Sequence, residues 1–146
     1  MTSAPATFDH VGISVADVHE AADWYCAALG LAREFEFEVA HVGLRGAMLL
    51  SPAGYRVELL ERAGSVRSGQ PPGSPDEAAL RRGYGHMCLD VPDGDAAHAA
   101  LISAGAVGRM APRASPEPGV RMAFVADPEG NLIELIDRTA SRARGI

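Results

Sequence analysis

From Phe8 to Val15 the chain alternates. Val11, Ile13 and Val15 fall on one side and His10, Gly12 and Ser14 on the other. A period of two marks a strand with one face turned toward a core. Asp17 to Leu29 then takes the helical period, with Asp17 as N-cap, Glu20 three residues on and Gly30 as the stop. Beyond it, Glu34–Val42, Arg45–Leu50 and Tyr55–Leu60 predict three strands. The turn sequence Ser51-Pro52-Ala53-Gly54 joins the last two.

The second half repeats the first. A shift of 76 positions lays RGAMLLSPAGYRVELLER (Arg45–Arg62) over RMAFVADPEGNLIELIDR (Arg121–Arg138) without a gap. The same shift pairs His10 with His86, Val15 with Val91 and Asp17 with Asp93. A common offset at both ends of the unit implies two homologous modules, 8–62 and 84–138. The second is expected to hold a strand at Tyr84–Val91 and a helix at Asp93–Ala104 closed by Gly105. Strands near Gly108–Arg113, Arg121–Ala126 and Leu132–Ile136 complete it, with a turn at Asp127–Gly130. Residues 63–83 form a Gly/Pro/Ser-rich linker with one helical turn at Asp76–Arg82. The expected fold class is α+β, two tandem βαβββ modules within a single domain of residues 1–146.

The alternation also distributes the chemistry. In each module one His on the first strand and one Glu on the last lie opposite the aliphatic residues that would meet the helix. These are His10 and Glu58, then His86 and Glu134. Two such faces turned toward each other would gather two imidazoles and two carboxylates. That donor set suits a borderline or hard divalent ion: Ni²⁺, Co²⁺, Mn²⁺, Fe²⁺ or Zn²⁺. The repetition matters, because a carboxylate inside an apolar strand is costly without a partner.

Composition removes several alternatives. Net charge is −6, against the basic faces of nucleic-acid binders. All 13 basic residues are Arg, so lysine Schiff-base chemistry and a Walker-type phosphate loop are excluded. Two cysteines form no disulfide framework and fit a reducing cytoplasm. No apolar run approaches the roughly 18 residues of a membrane span, and the N-terminus lacks a signal layout. The expectation is a cytoplasmic protein that binds neither nucleic acid nor membrane.

FDHVGISVAD with its following helix, YGHMCLDV and FVADPEGNLIELID carry a resemblance to the vicinal oxygen chelate superfamily. That group includes glyoxalase I, methylmalonyl-CoA epimerase, extradiol dioxygenases and fosfomycin- and bleomycin-resistance proteins. The resemblance covers nearly all of 8–138. It implies paired βαβββ modules forming a cupped mixed β-sheet with helices outside, around one divalent metal held by His10, Glu58, His86 and Glu134. The ligand set is most similar to bacterial glyoxalase I; the epimerase has Gln in the place of Glu58. Ser14 and Arg62 stand where the bacterial glyoxalases hold glutathione, and Ala47 where the epimerase carries a second base glutamate. The resemblance therefore carries the superfamily and leaves the substrate open.

The activity it implies is that of a metal-dependent isomerase, epimerase or lyase, chelating neighbouring oxygens of a small carbonyl substrate. Glu134 is the first choice for the proton shuttle and Glu58 the second. Two rival readings are a non-heme iron dioxygenase of a catechol-like substrate and a metal-free drug-sequestering protein. The resemblance also implies a homodimer. Cys88, two residues from His86 on the same face, reads as a small packed residue rather than a reactive thiol. Met48, Leu50, Met122 and Phe124 read as floor or core, and His19, His41 and His98 as surface positions. Arg45, Arg56 and Arg121 are candidates for a substrate carboxylate, though a solvated face is the commoner role.

Overall fold

A computed structural model describes residues 4–145. The chain divides between Val66 and Arg67 into two compact units. In the first, β1 (His10–Ser14), α1 (Val18–Leu29), β2 (Ala32–Val39), β3 (Leu44–Leu50) and β4 (Arg56–Arg62) follow one another. The sheet order is β1-β4-β3-β2, with β1 parallel to β4 and the other pairs antiparallel.

Register decides which side chains share a face. Val57 pairs with Leu49 and Leu59 with Ala47, and all four are completely buried. They form the face that takes α1, whose Val18, Ala22 and Tyr25 are buried in turn. Each large apolar side chain so covered is worth about 1.5–3 kcal/mol relative to exposure. The helix starts and stops as its sequence requires. Asp17 accepts from the backbone N–H of His19 and Glu20, and Gly30 ends it with φ 67°.

The second unit begins with the connector, where α2 (Pro75–Ala78) is capped by the Ser74 hydroxyl. Then come β5 (His86–Asp90), α3 (Gly94–Ser103), β6 (Val107–Ala114), β7 (Arg121–Ala126), β8 (Leu132–Asp137) and α4 (Thr139–Ala143). Sheet order is β5-β8-β7-β6, with β5 parallel to β8. Ile133 pairs with Val125 and Leu135 with Ala123 on the buried face. Ala78 packs with Ala126 and Leu132, which pins the connector to this unit. The two units thus hold two four-stranded mixed sheets, each with a helix on one face.

The repeat extends to individual hydrogen bonds. Val15 N donates to Leu60 O in the first unit, and Val91 N to Ile136 O in the second, both at 2.9 Å. Glu61 accepts from the Val18 N–H at 2.9 Å, and Asp137 from the Gly94 N–H at 3.0 Å. In each unit a carboxylate at the end of the last strand thereby satisfies an orphan donor at the start of the helix. The turn at Ser51 and the turn at Asp127 also match, each side chain accepting from the backbone N–H two residues on at 3.0 Å.

Several boundaries differ from the expected ones. β2 stops at Val39, and Ala40–Val42 form a 3-10 turn closed by Gly43 at φ 62°. α2 covers Pro75–Ala78 rather than Asp76–Arg82. Phe8 and Tyr84, placed at the start of the expected strands, lie outside β1 and β5 and are exposed. α4 has no sequence signal, since Arg138 at its N-cap offers no capping side chain. Its Thr139 hydroxyl donates to Pro92 O at 2.8 Å, and Arg142 pairs with Asp90. Among the described residues no helix is long and apolar enough to cross a membrane.

Candidate functional site

Parallel pairing sets up both His–Glu pairs. Gly12 is the register partner of Glu58, and Cys88 that of Glu134. A His two residues before each partner shares its face and stands diagonally across from the Glu. The result is His10 Nε2 at 3.3 Å from Glu58 Oε2, and His86 Nε2 at 3.0 Å from Glu134 Oε2. Side-chain exposures are 34% and 21% in the first pair, 38% and 17% in the second, so both pairs stay reachable from solvent. Each expected ligand is therefore brought beside the other ligand of its own module. Among the described residues no group of three or more His, Cys, Asp or Glu that could hold a metal ion is formed.

The surroundings of the two pairs differ. His10 Nδ1 is 2.6 Å from Asp9 Oδ2, a contact not anticipated from the sequence. The hydrogen bond to Asp9 raises the His10 pKa above its ordinary value; burial opposes this, and the charge of Glu58 adds to it. Asp9 in turn is lowered, first by the same hydrogen bond. The signal was an acidic residue directly preceding a candidate ligand, and the second module has Gly85 there. His86 instead meets the edge of the Phe124 ring, with centroids 5.1 Å apart.

Cys88 is exposed as a residue, yet desolvation of its thiol, then the charge and hydrogen bond of Glu134, push its pKa up to about 12. It is a thiol at neutral pH, in line with the unreactive reading. Met48 and Phe124 are the register partners of Glu58 and Glu134, so they floor the ligand faces and are themselves buried. Ala47 lies on the opposite, helix-covered face as partner of Leu59, so Met48 is the third-strand residue beside Glu58.

The arginines singled out are held by their own units. Arg45 meets Glu61 at 2.5 Å, Arg56 grips Glu34 through two bonds of 2.7 and 2.8 Å, and Arg121 grips Asp95 through two of 3.0 Å. His41 is exposed in the 3-10 turn. His98 departs from the surface expectation: its Nε2 is buried without a hydrogen-bond partner among the described residues.

Paired βαβββ modules, each with a His on the first strand facing a Glu on the last, are the arrangement of the vicinal oxygen chelate class. The profile of the Glyoxalase/Bleomycin resistance protein/Dioxygenase superfamily matches residues 7–135, and the chain belongs to that family. Among solved structures it is similar to a glyoxylase/bleomycin resistance protein/dioxygenase domain from Frankia sp., at 17% identity and TM-score 0.70, covering 92% of this chain and 93% of that one. It is similar to the trypanothione-dependent glyoxalase I of Leishmania major at 22% identity and TM-score 0.69, covering 97% and 93%. Glyoxalase I of Zea mays matches at 22% identity and TM-score 0.68, over 87% of this chain; the chain spans only 43% of that protein. No curated protein matches the chain. At such identities the structural likeness carries the fold.

Proposed function

We propose that the protein is a metal-dependent isomerase, epimerase or lyase of the glyoxalase type, with His10, Glu58, His86 and Glu134 as ligands of one divalent ion. The supporting observation is the pair of Nε2–Oε2 separations, 3.3 and 3.0 Å. Two donors about 2.1 Å from one ion and about 90–100° apart lie roughly 3.0–3.3 Å from each other. Each pair thus has the bite of two adjacent ligands, and each offers one nitrogen and one oxygen. His10 adds a further fit. Its Nδ1 is engaged by Asp9, which leaves Nε2 as its donor atom and holds the ring toward Glu58.

When bound, the ion would supply Lewis acidity toward two neighbouring oxygens of a small carbonyl substrate. The residues do the rest. Glu134 accepts the proton from the carbon beside the carbonyl, and the electron pair of that C–H bond moves toward the carbonyl. In isomerisation Glu134 gives that proton to the former carbonyl carbon while the hydroxyl proton of the substrate passes to the former carbonyl oxygen. In epimerisation Glu58 delivers a solvent-derived proton to the opposite face, the carbonyl re-forms, and Glu134 releases the proton it took to solvent. Met48 and Phe124 keep the floor of the two ligand faces apolar, which limits water around the carboxylates. Elemental analysis after incubation with Ni²⁺, Co²⁺, Mn²⁺ or Zn²⁺ tests the ligand set, and deuterium uptake from D₂O into a turned-over carbonyl compound tests the proton transfer. We extend the proposal to a homodimer located in the cytoplasm. Light scattering at tens of micromolar that gives only a monomer near 15 kDa would remove the dimer.

A further inference from the structure

Beside His86 the second unit forms an open cavity of about 400 Å³, a size in the range of small-ligand sites. Its wall is the end of the connector, where Ala78, Arg81, Arg82, Gly83 and Gly85 lead up to His86. Among the described residues no Asp or Glu lines it, although the chain carries a net charge of −6.

The wall is fixed at its base and free at its tip. Ala78 is anchored in the cluster with Ala126 and Leu132, and Arg81 donates to Gln70 O at 2.8 Å. Arg82 is exposed, and among the described residues its side chain makes no hydrogen bond or ion pair. Arg33, Arg45, Arg56, Arg121, Arg138 and Arg142 meet carboxylates. Of the exposed arginines whose side chains, among the described residues, make no hydrogen bond or ion pair, Arg82 is the one that lines the cavity. Between Arg82 and His86, Gly83 and Gly85 raise no obstacle: a Cβ added at either would meet nothing within 4 Å.

We propose that this cavity is an anion subsite, so that the substrate is a small molecule carrying a carboxylate or phosphate group bound by Arg82. A guanidinium matches either group through two parallel N–H bonds, and Arg81 adds a second positive charge at the wall. The other end of such a molecule would extend toward His86. The inference rests on the proposed role of His86 in the metal site and adds the chemical class of the substrate.

The test uses metal-free protein titrated with inorganic phosphate, malonate and the uncharged malonamide, followed by calorimetry and by the amide NMR signals of Gly83 and Gly85. At least one anion should bind and move both signals, the tighter anion naming the group, and malonamide should leave them still. Binding should weaken with added salt and at least tenfold in Arg82→Gln, whose melting temperature should equal the parent's. Equal binding of malonamide and malonate, unmoved glycine signals with both anions, or undiminished anion binding in Arg82→Gln would each overturn the subsite. The metal reading is judged separately by metal content, which Arg82→Gln should keep and His86→Ala should lose. Anion binding in a protein that never retains metal would keep the subsite and end the metal reading.

Discussion

The two modules share their scaffold and differ around their His–Glu pairs. Both cap the helix with a backbone-facing carboxylate, Glu61 in one and Asp137 in the other, and both turn between the last two strands in the same way. At the pairs the likeness stops. Asp9 stands behind His10 where Gly85 precedes His86. Beside Glu58 stands Gly12, where a Cβ would come within 3.3 Å of Glu58 Oε2, while Cys88 stands beside Glu134. Repetition has kept what holds a strand and a helix together and varied what touches the chemistry. The first pair is braced by a charge, and the second is flanked by a ring edge and a protonated thiol. For the proposed function, two unequal pairs suit a reaction whose two carboxylates have different tasks.

The largest expected effect breaks that inequality directly. Glu134→Gln keeps an oxygen donor but removes the proton acceptor, so turnover should fall by roughly 10² to 10⁴ while metal content is largely kept. Glu58→Gln should be milder. Steady-state rates of both variants on one substrate decide it, and full activity in Glu134→Gln would end the proton-transfer reading. Next comes the brace. Asp9→Ala should weaken metal affinity by about 10- to 100-fold, the usual effect of losing a partner that orients a ligand histidine. Rescue by Asp9→Glu in a competition titration would separate orientation from a general loss of fold. Unchanged affinity in Asp9→Ala would make the two modules equal in this respect.

Much of this was legible in the sequence because the same signals occur twice. Alternation at Val11, Ile13 and Val15 and at Met87 and Leu89, with Asp17 and Asp93 as caps, gave both modules and placed each His and Glu on one face. The limits are physical. Phe8 and Tyr84 favour a strand by residue type, but the ladders begin only at His10 and His86 and leave both exposed. The resemblance sets Ala47 in the place of a base glutamate, whereas the register with Leu59 puts it on the helix-covered face. The Asp9–His10 contact depends on a side-chain rotamer that no periodicity encodes, and α4 is held by Thr139 and Arg142 reaching back to Pro92 and Asp90, contacts remote in sequence.

A smaller effect concerns the thiol that distinguishes the second module. Cys88 is exposed, but with its pKa near 12 it should react with a thiol reagent at pH 8 far more slowly than free cysteine. Cys26 is also raised by burial and should be slow too. Timed alkylation with mass spectrometry reads both sites, and rapid labelling of Cys88 would show that desolvation and Glu134 do not hold it protonated.

The smallest effect tests what the modules share. Asp137 is held below the usual carboxylate range by the Thr139 and Gly94 N–H groups, and Glu61 by Arg45 and the Val18 N–H. A depressed folded-state pKa contributes stability that is complete above the unfolded value near 4 and lost as pH falls through the folded value. Thermal midpoints should therefore be insensitive to these groups from neutral pH down to about 5 and drop below about 4. Asp137→Ala should lower the midpoint at pH 7 by about 3 °C, and the loss should shrink in acid. A pH-independent loss would assign the effect to packing.

If both pairs hold one ion, metal stoichiometry in single-histidine variants will show it. The parent, loaded with Ni²⁺, Co²⁺, Mn²⁺ or Zn²⁺ and desalted, should retain about one ion per chain, with a raised melting temperature. His10→Ala and His86→Ala should each lose that ion and that gain in stability, because each module supplies half of the ligands. A His86→Ala protein that retains its full metal content would mean that the two pairs do not share an ion.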